Sequence, residues 1–593
     1  MTEDKLERKN LNFTPASGSN ALAGGVMSSH SMFKFVQAAP VLFLIVLLLS
    51  PVAITVISSF RLSLPGEPNV WGLTGWISAF TSPSIYDAIA NTFILAIMRV
   101  PLAIFIGALL AWLLIRTNIY GRKWIEFLFW ISFFLPTLPI AVAWTILLDP
   151  RSGWVNKLAA YAFNRIEPLF NVFSFGGITW VHITATTVPV MVLLLGPAFR
   201  ALDPSMEESA RMCGASRPAI LRRIVMPLMY PALMMAAIAS FIRSLEAFEV
   251  ELLLGMPGGI RVYSTKIQEL ATWEPPRYAP SMALSVPFIL MLFALAYLYQ
   301  RFLRDKTFTT ISGKSTMSQP LDLGSWRWPL SLLCMLIATI SVILPALTLV
   351  VGSFMEVFGM VRADGSIHFT LNHWKIVFND SVFVISLINT LKLASGTAII
   401  AVLFYSILAY TLVRTKILGR DFLSLVVWMP WAFPGILISL SLLWMYLGTP
   451  LLVPLYGSML GLMFAMLFKE MPIGVNLMKT GLLQISVELE DAARMCGASW
   501  VQIYFRLVLP LLAPAAVTVF TICFIVCVKD ISTMILLSTA DTRPLSLLVL
   551  DYTSNGSFER GTVVGVISAG LAIAAALIGR AISDRLSSGL GRS

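Results

Sequence analysis

The sequence predicts an all-α integral membrane protein, with about twelve transmembrane helices in two parallel six-helix halves. Three observations carry that expectation. Of the 593 residues, 57% are hydrophobic and only 12% charged, with mean hydropathy +0.82. That composition lies outside the soluble range, and run after run reaches the roughly 20 apolar residues that cross a bilayer. The second observation is an internal repeat: Glu207–Pro231, EESARMCGASRPAILRRIVMPLMYP, returns 283 residues later as EDAARMCGASWVQIYFRLVLPLLAP, Glu490–Pro514, with 14 of 25 positions identical. A repeat of this kind fixes the architecture before any element is placed. The third is the distribution of basic residues, which fall on one side of the membrane when the spans are counted.

Residues 1–37 are polar and then Gly/Ser-rich, which predicts a disordered tail. The apolar run that follows is too long for a signal peptide. Spans are expected near 38–60, 88–115, 124–148, 178–200, 227–247 and 281–303 in the first half (38–303). A hydrophilic linker, 304–327, separates them from spans near 328–354, 386–413, 422–447, 457–481, 510–530 and 561–583 in the second half (328–593). A second register of the repeat, offset by 298, supports this pairing. Asn91-Thr92 matches Asn389-Thr390, Arg116-Thr117 matches Arg414-Thr415, Gly121-Arg122 matches Gly419-Arg420, Trp130 matches Trp428 and Pro136 matches Pro434. The offset falls to 283 because the loop 149–177 is longer than its counterpart around 448–459, and insertions belong in loops.

Arg116, Arg122 and Lys123, their counterparts Arg414, Lys416 and Arg420, the loop residues Arg211, Arg217, Arg222 and Arg223, and the linker and C-terminal cations lie on one side. By the positive-inside rule that side is cytoplasmic, with both termini and both repeated loops. The net charge of +11 is scattered over short loops, which excludes a nucleic-acid surface. Cys213, Cys334, Cys496, Cys523 and Cys527 form neither a disulfide framework nor a metal motif. Four histidines in the chain also argue against a His-based metal site.

The repeated stretch resembles the EAA loop of bacterial ABC-importer membrane subunits, which carries Glu-Ala-Ala, three residues, Gly, and Pro thirteen residues later. The matching residues are Glu208-Ser-Ala210, Gly214 and Pro227 in the first half, and Asp491-Ala-Ala493, Gly497 and Pro510 in the second. Ser209 and Asp491 depart from the pattern. The fused two-half chain, with the stretches after each fifth span (246–255 and 529–537), is similar to the ferric-iron-type permease group of type I ABC importers. This resemblance implies docking of a separate ATPase subunit, two copies, one per loop. The docking residues it implies are Glu207, Glu208, Ala210, Arg211, Gly214 and Ser216, with Glu490, Asp491, Ala493, Arg494, Gly497 and Ser499. It also implies a periplasmic or lipid-anchored substrate-binding protein, a bacterial inner (cytoplasmic) membrane location, and ATP and magnesium held by the partner rather than by this chain. Ferric iron is the expected cargo; 2-aminoethylphosphonate, thiamine or polyamine permeases are the alternatives within this class, and a 12-helix secondary transporter is the alternative outside it.

Locally, Pro204 to Cys213 is expected to be a short helix with Glu207 and Glu208 near its N-terminus, where negative charge complements the dipole. Gly214 supplies a left-handed stop, and Ser216 stands where the next helix needs a cap. The product is a helix–turn–helix elbow continuous with a membrane span. The string Ser312-Gly-Lys-Ser-Thr316 is no P-loop, because Phe308 stands where the motif requires glycine. No catalytic constellation is visible.

Charges inside spans point to function by default. Arg243, Glu246 and Glu249 share one helical face, Glu251 follows, and Lys529-Asp530 falls opposite Glu246 at the 283 offset. Two readings stand: ordinary charges at the outer interface, or a charged outer mouth or gate for a polar cargo. Lys469-Glu470 is expected to pair within the bundle, and Arg99 and Lys392 to snorkel toward the interface.

Overall fold

The computed structural model describes residues 29–164, 167–304, 321–360, 366–415 and 419–590. Ser312-Gly-Lys-Ser-Thr316, most of the linker and residues 1–28 lie outside these. Helix begins at Ser29, inside the stretch expected to be disordered, and runs to Ser58. Among the described residues the chain is helical, with isolated bridges such as Arg61 with Trp71 in place of sheet.

Eight helices are long and apolar enough to cross a membrane, and three bent pairs raise the number to eleven. The remaining expected span is the first, whose apolar stretch Leu44–Ser58 is shorter. The straight spans include Pro83–Arg116 and Ser381–Arg414, each 34 residues, and Phe175–Ala201, Leu221–Leu245 and Met459–Leu483. The second spans begin several residues before their expected starts because Pro83 and Ser381 follow N-caps Ser82 and Asp380 in extended conformation.

The third span of each half is bent. Segments 124–148 and 422–447 are not single straight helices: Arg122–Phe134 meets Thr137–Leu148 at 108°, and Arg420–Trp431 meets Gly435–Gly448 at 111°. A residue before proline is pushed out of the helical region. Leu135 before Pro136 has φ −64°, ψ 138°, and Phe433 before Pro434 has φ −116°, ψ 103°. The expected span 510–530 runs as one helix, Ala513–Lys529, and meets the preceding Trp500–Leu511 at a 75° bend.

Small residues bring the spans together, as expected where lipid offers no hydrophobic drive for association. Along Pro83–Arg116 the buried face carries Ala88, Ala96, Ala103, Gly107 and Ala111, while Ile97 and Phe105 are exposed on the outside. The first span of each half packs on the opposite half. Ser29–Ser58 lies against Gly435–Gly448, with Thr55 hydrogen-bonded to Ser441, and Leu344–Phe354 lies against Thr137–Leu148. The Arg61 guanidinium sits 5.3 Å over the Trp444 ring.

The repeated Asn-Thr pairs have one job in both halves. Asn91 Nδ2 donates to the Arg261 carbonyl at 3.0 Å, and Asn389 Nδ2 to the Asp541 carbonyl at 2.7 Å. Thr92 Oγ1 accepts from the Tyr263 amide at 2.9 Å, and Thr390 Oγ1 from the Leu545 amide at 2.8 Å. Each pair satisfies backbone groups of the irregular chain that follows the fifth span, as backbone at membrane depth requires.

Candidate functional site

Each elbow starts as a nine-residue helix, Pro204–Met212 or Val487–Met495, capped by Asp203 accepting from the Ser205 amide and by Ser486 accepting from the Glu488 amide. Both helices end in the same Schellman motif. Gly214 and Gly497 each take φ +80°. The Gly214 amide donates to the Arg211 carbonyl at 2.9 Å and the Ala215 amide to the Ala210 carbonyl at 3.0 Å; in the second elbow the Gly497–Arg494 and Ala498–Ala493 bonds are 2.9 and 3.1 Å. Ala210 and Ala215, like Ala493 and Ala498, pack on the adjoining core, closing the motif with an apolar contact. Ser499 and Gln502 then form a capping box for the next helix.

Two of the residues expected to dock a partner point inward instead. Glu207 pairs with Arg116, and Glu490 with Arg414 at 2.8 Å. Arg116 also donates to the Leu202 carbonyl at 3.2 Å, and Arg414 to its counterpart, the Ile485 carbonyl, at 2.6 Å. These arginines close the C-terminal ends of the second spans, so the elbows are seated on them. Charge on an amphipathic helix does not by itself show which face it occupies, and the signal that points to the seat is the Arg-Thr match at offset 298. Glu208, Arg211, Gly214 and Ser216, with Asp491, Arg494, Gly497 and Ser499, are exposed; Ala210 and Ala493 are half-buried. Motif spacing does not single out Met212 and Met495, each 90% exposed at the tip of its elbow.

A cavity of about 1910 Å³ runs between the halves. Arg122, Lys123, Arg200 and Met206 line it beside the first elbow, and Glu246, Glu249, Lys469, Glu470, Lys529 and Asp530 line its deep end. The structure brings together all of the singled-out charges of Arg243–Glu251 and Lys529–Asp530, but in two groups. In the first, Lys469 pairs with Asp530 rather than with Glu470, Arg243 Nη1 donates to Glu246 at 3.3 Å, and Lys529 Nζ donates across the halves to the Phe133 carbonyl at 2.8 Å. In the second, Glu251 is buried between Arg99 at 3.4 Å and His182 at 2.8 Å. Arg99 also bonds the Ser244 hydroxyl and carbonyl. It therefore does not snorkel: it is 3% exposed, sixteen residues into a 34-residue helix, roughly 24 Å from its N-terminal end. Lys392, by contrast, is exposed. The Glu251 group therefore meets the second span near the middle of its length.

This second group belongs to the first half alone. At the same offsets Arg99, Ser244, Glu251 and His182 correspond to Thr397, Cys527, Met534 and Ala465. His182 and Lys469 do not stand out as site residues in the sequence, because their partners lie 69 and 61 positions away along the chain. Among the described residues no group of three or more His, Cys, Asp or Glu side chains is arranged to hold a metal ion. The arrangement is a cavity lined by charged side chains, several of them paired.

Two matched elbows on one face, a central cavity and exchanged first spans define a two-half membrane permease, and the chain belongs to the family of binding-protein-dependent transport system inner membrane components, whose model matches residues 72–308 and 402–588. It is thus a multi-pass ABC importer permease with two fused halves. It is similar to the ferric transport system permease protein FbpB of Actinobacillus pleuropneumoniae, 26% identical over 441 residues, 73% of this chain and 62% of that protein. It is likewise similar to the putative ferric transport system permease protein FbpB 1 of Haemophilus influenzae, 27% identical over 415 residues, 69% of this chain and 63% of that protein. The match therefore spans less than two thirds of either relative. Among solved structures, a bacterial alginate ABC transporter in complex with its alginate pentasaccharide-bound periplasmic protein matches 48% of this chain and 97% of its own, at 19% identity and TM-score 0.40.

Proposed function

We propose that the chain, through permease halves 38–303 and 328–593, carries a small polar solute, ferric iron, from a periplasmic binding protein to the cytoplasm. A separate ATPase, two copies, drives it through the two elbows and holds the ATP and magnesium. The observation that carries the coupling is the duplicated elbow: two rigid tips with equivalent exposed methionines, each seated by a Glu–Arg pair on the C-terminal end of a second span, the first of which lines the cavity. A motor that moves the tips moves the fifth spans, since each elbow runs into one. A secondary transporter has no use for such a matched pair of levers. The positive-inside distribution supports an inner-membrane orientation with elbows and termini in the cytoplasm.

Iron as cargo is supported by the ferric names of the two relatives and by the carboxylates Glu246, Glu249, Glu470 and Asp530 at the deep end of the cavity, since hard cations take oxygen ligands. The cations Arg243, Lys469 and Lys529 at the same level favour a second reading, a zwitterion such as 2-aminoethylphosphonate. Uptake of radiolabelled ferric iron in a deletion strain tests both. Restoration by wild type, and not by the Gly214→Val/Gly497→Val double variant, is the expected result. Restoration of aminoethylphosphonate uptake alone would replace iron with the second reading.

A further inference from the structure

The deep end of the cavity contains one contact that neither elbow coupling nor charge pairing within a half accounts for. Arg122–Phe134 stops inside the membrane, where the chain turns 108° into Thr137–Leu148. The last carbonyls of a helix lack intrahelical partners and carry the negative end of its dipole. Here the Phe133 carbonyl faces the cavity and accepts from Lys529 Nζ of the other half at 2.8 Å, with the ammonium 5.1 Å from the Phe133 ring centroid. Glu249 lies close enough to act electrostatically on the same ammonium and lines the same cavity. Carbonyl dipole and aromatic face thus meet one ammonium, with the Glu249 carboxylate lining the same cavity.

We infer that the Phe133 carbonyl and Glu249 form a cation subsite on the transport path, and that Lys529 is a tethered counter-cation that a transported metal cation displaces. The inference deepens the cation-cargo reading above and rests on it. Broken helices whose C-terminal carbonyls face a cavity are suited to cations. A passage site has to release what it binds, and one carbonyl with one carboxylate, opposed by a resident ammonium, holds a trivalent ion weakly. That agrees with the lack, among the described residues, of any group of three metal-ligating side chains. The duplicated break in the second half carries no equivalent: the counterpart of Lys529 is Glu246, which pairs with Arg243, and the counterpart of Glu249 is Ser532.

Terbium(III), a hard trivalent ion whose luminescence is sensitised by nearby indoles such as Trp431 on the cavity wall, is the probe. It would be titrated into the full-length protein in nanodiscs of uncharged lipid. Lys529→Met should bind terbium at least tenfold more tightly than wild type, and Lys529→Gln should do the same if the methionine variant is not monodisperse. Lys529→Arg should stay at the wild-type value, and Glu249→Gln combined with Lys529→Met should lose the gain. Equal binding by wild type and both uncharged variants, or a gain that survives Glu249→Gln, would overturn the subsite. Because terbium binding needs neither ATPase nor uptake, its failure alongside normal iron uptake removes the subsite and leaves the cargo reading intact. A positive titration without iron uptake does the reverse.

Discussion

Tyr405 lies so close to Gly474 that a β-carbon on the glycine would stand 2.2 Å from the ring. In the first half the sizes are exchanged: Gly107 takes the place of Tyr405 and Met191 that of Gly474, and a β-carbon on Gly107 would meet Met191 at 2.3 Å. The second and fourth spans thus keep one close approach by opposite means. Gly474→Ala should lower the melting temperature by overpacking, costing about 1–3 kcal/mol. The double variant Tyr405→Gly/Gly474→Met, which transplants the first-half arrangement, should regain most of the loss in a thermal melt of the purified protein.

Breaking the seat of an elbow should cost more than altering its surface. Glu490 is 1% exposed and bound to Arg414, and truncating one partner of a buried pair costs about 3–5 kcal/mol. Glu490→Ala should destabilise the protein in a thermal melt and abolish transport. Asp491→Asn, at a side chain 60% exposed, should leave the melt unchanged.

The stops at Gly214 and Gly497 should be intolerant of branching for reasons of backbone alone. Each sits at φ +80°, and a β-carbon added there would meet nothing within 4 Å, so space is not the obstacle. Valine in the left-handed region costs about 1–3 kcal/mol per site. The double Val variant should insert in the membrane and fail to transport. The double Asn variant, which tolerates that region, should retain part of the activity in the same uptake measurement.

Met212→Asp and Met495→Asp should weaken co-purification of the ATPase subunit without changing membrane insertion, since both side chains are 90% exposed and touch little of their own chain. Retention of the ATPase by the double variant would remove the methionine tips from the docking surface.

Much of this architecture is legible in the chain because the repeat, the span lengths and the glycine stops are local signals. Pro204–Met212 and its left-handed Gly214 follow from residues within about ten positions of one another. The broken third spans are hidden because apolar character continues through Leu135-Pro136 and Phe433-Pro434, so hydropathy sees one run where pre-proline sterics make two. The partners of Glu207, Glu251 and Lys529 are hidden for another reason. Arg116, Arg99 and Phe133 lie 91, 152 and 396 positions away, and only the packing of different spans brings them within reach.

The central claim, that the elbows receive a cytoplasmic motor, is tested most directly through two native thiols. Cys213 and Cys496 are exposed at equivalent elbow positions, whereas Cys334, Cys523 and Cys527 are buried. A membrane-impermeant thiol cross-linker applied to inside-out vesicles, with peptides identified by mass spectrometry, should join both cysteines to the ATPase subunit, and Cys213→Ser and Cys496→Ser should each remove one of the two links. Cross-links from these positions to the periplasmic binding protein, or labelling only in right-side-out vesicles, would contradict the account.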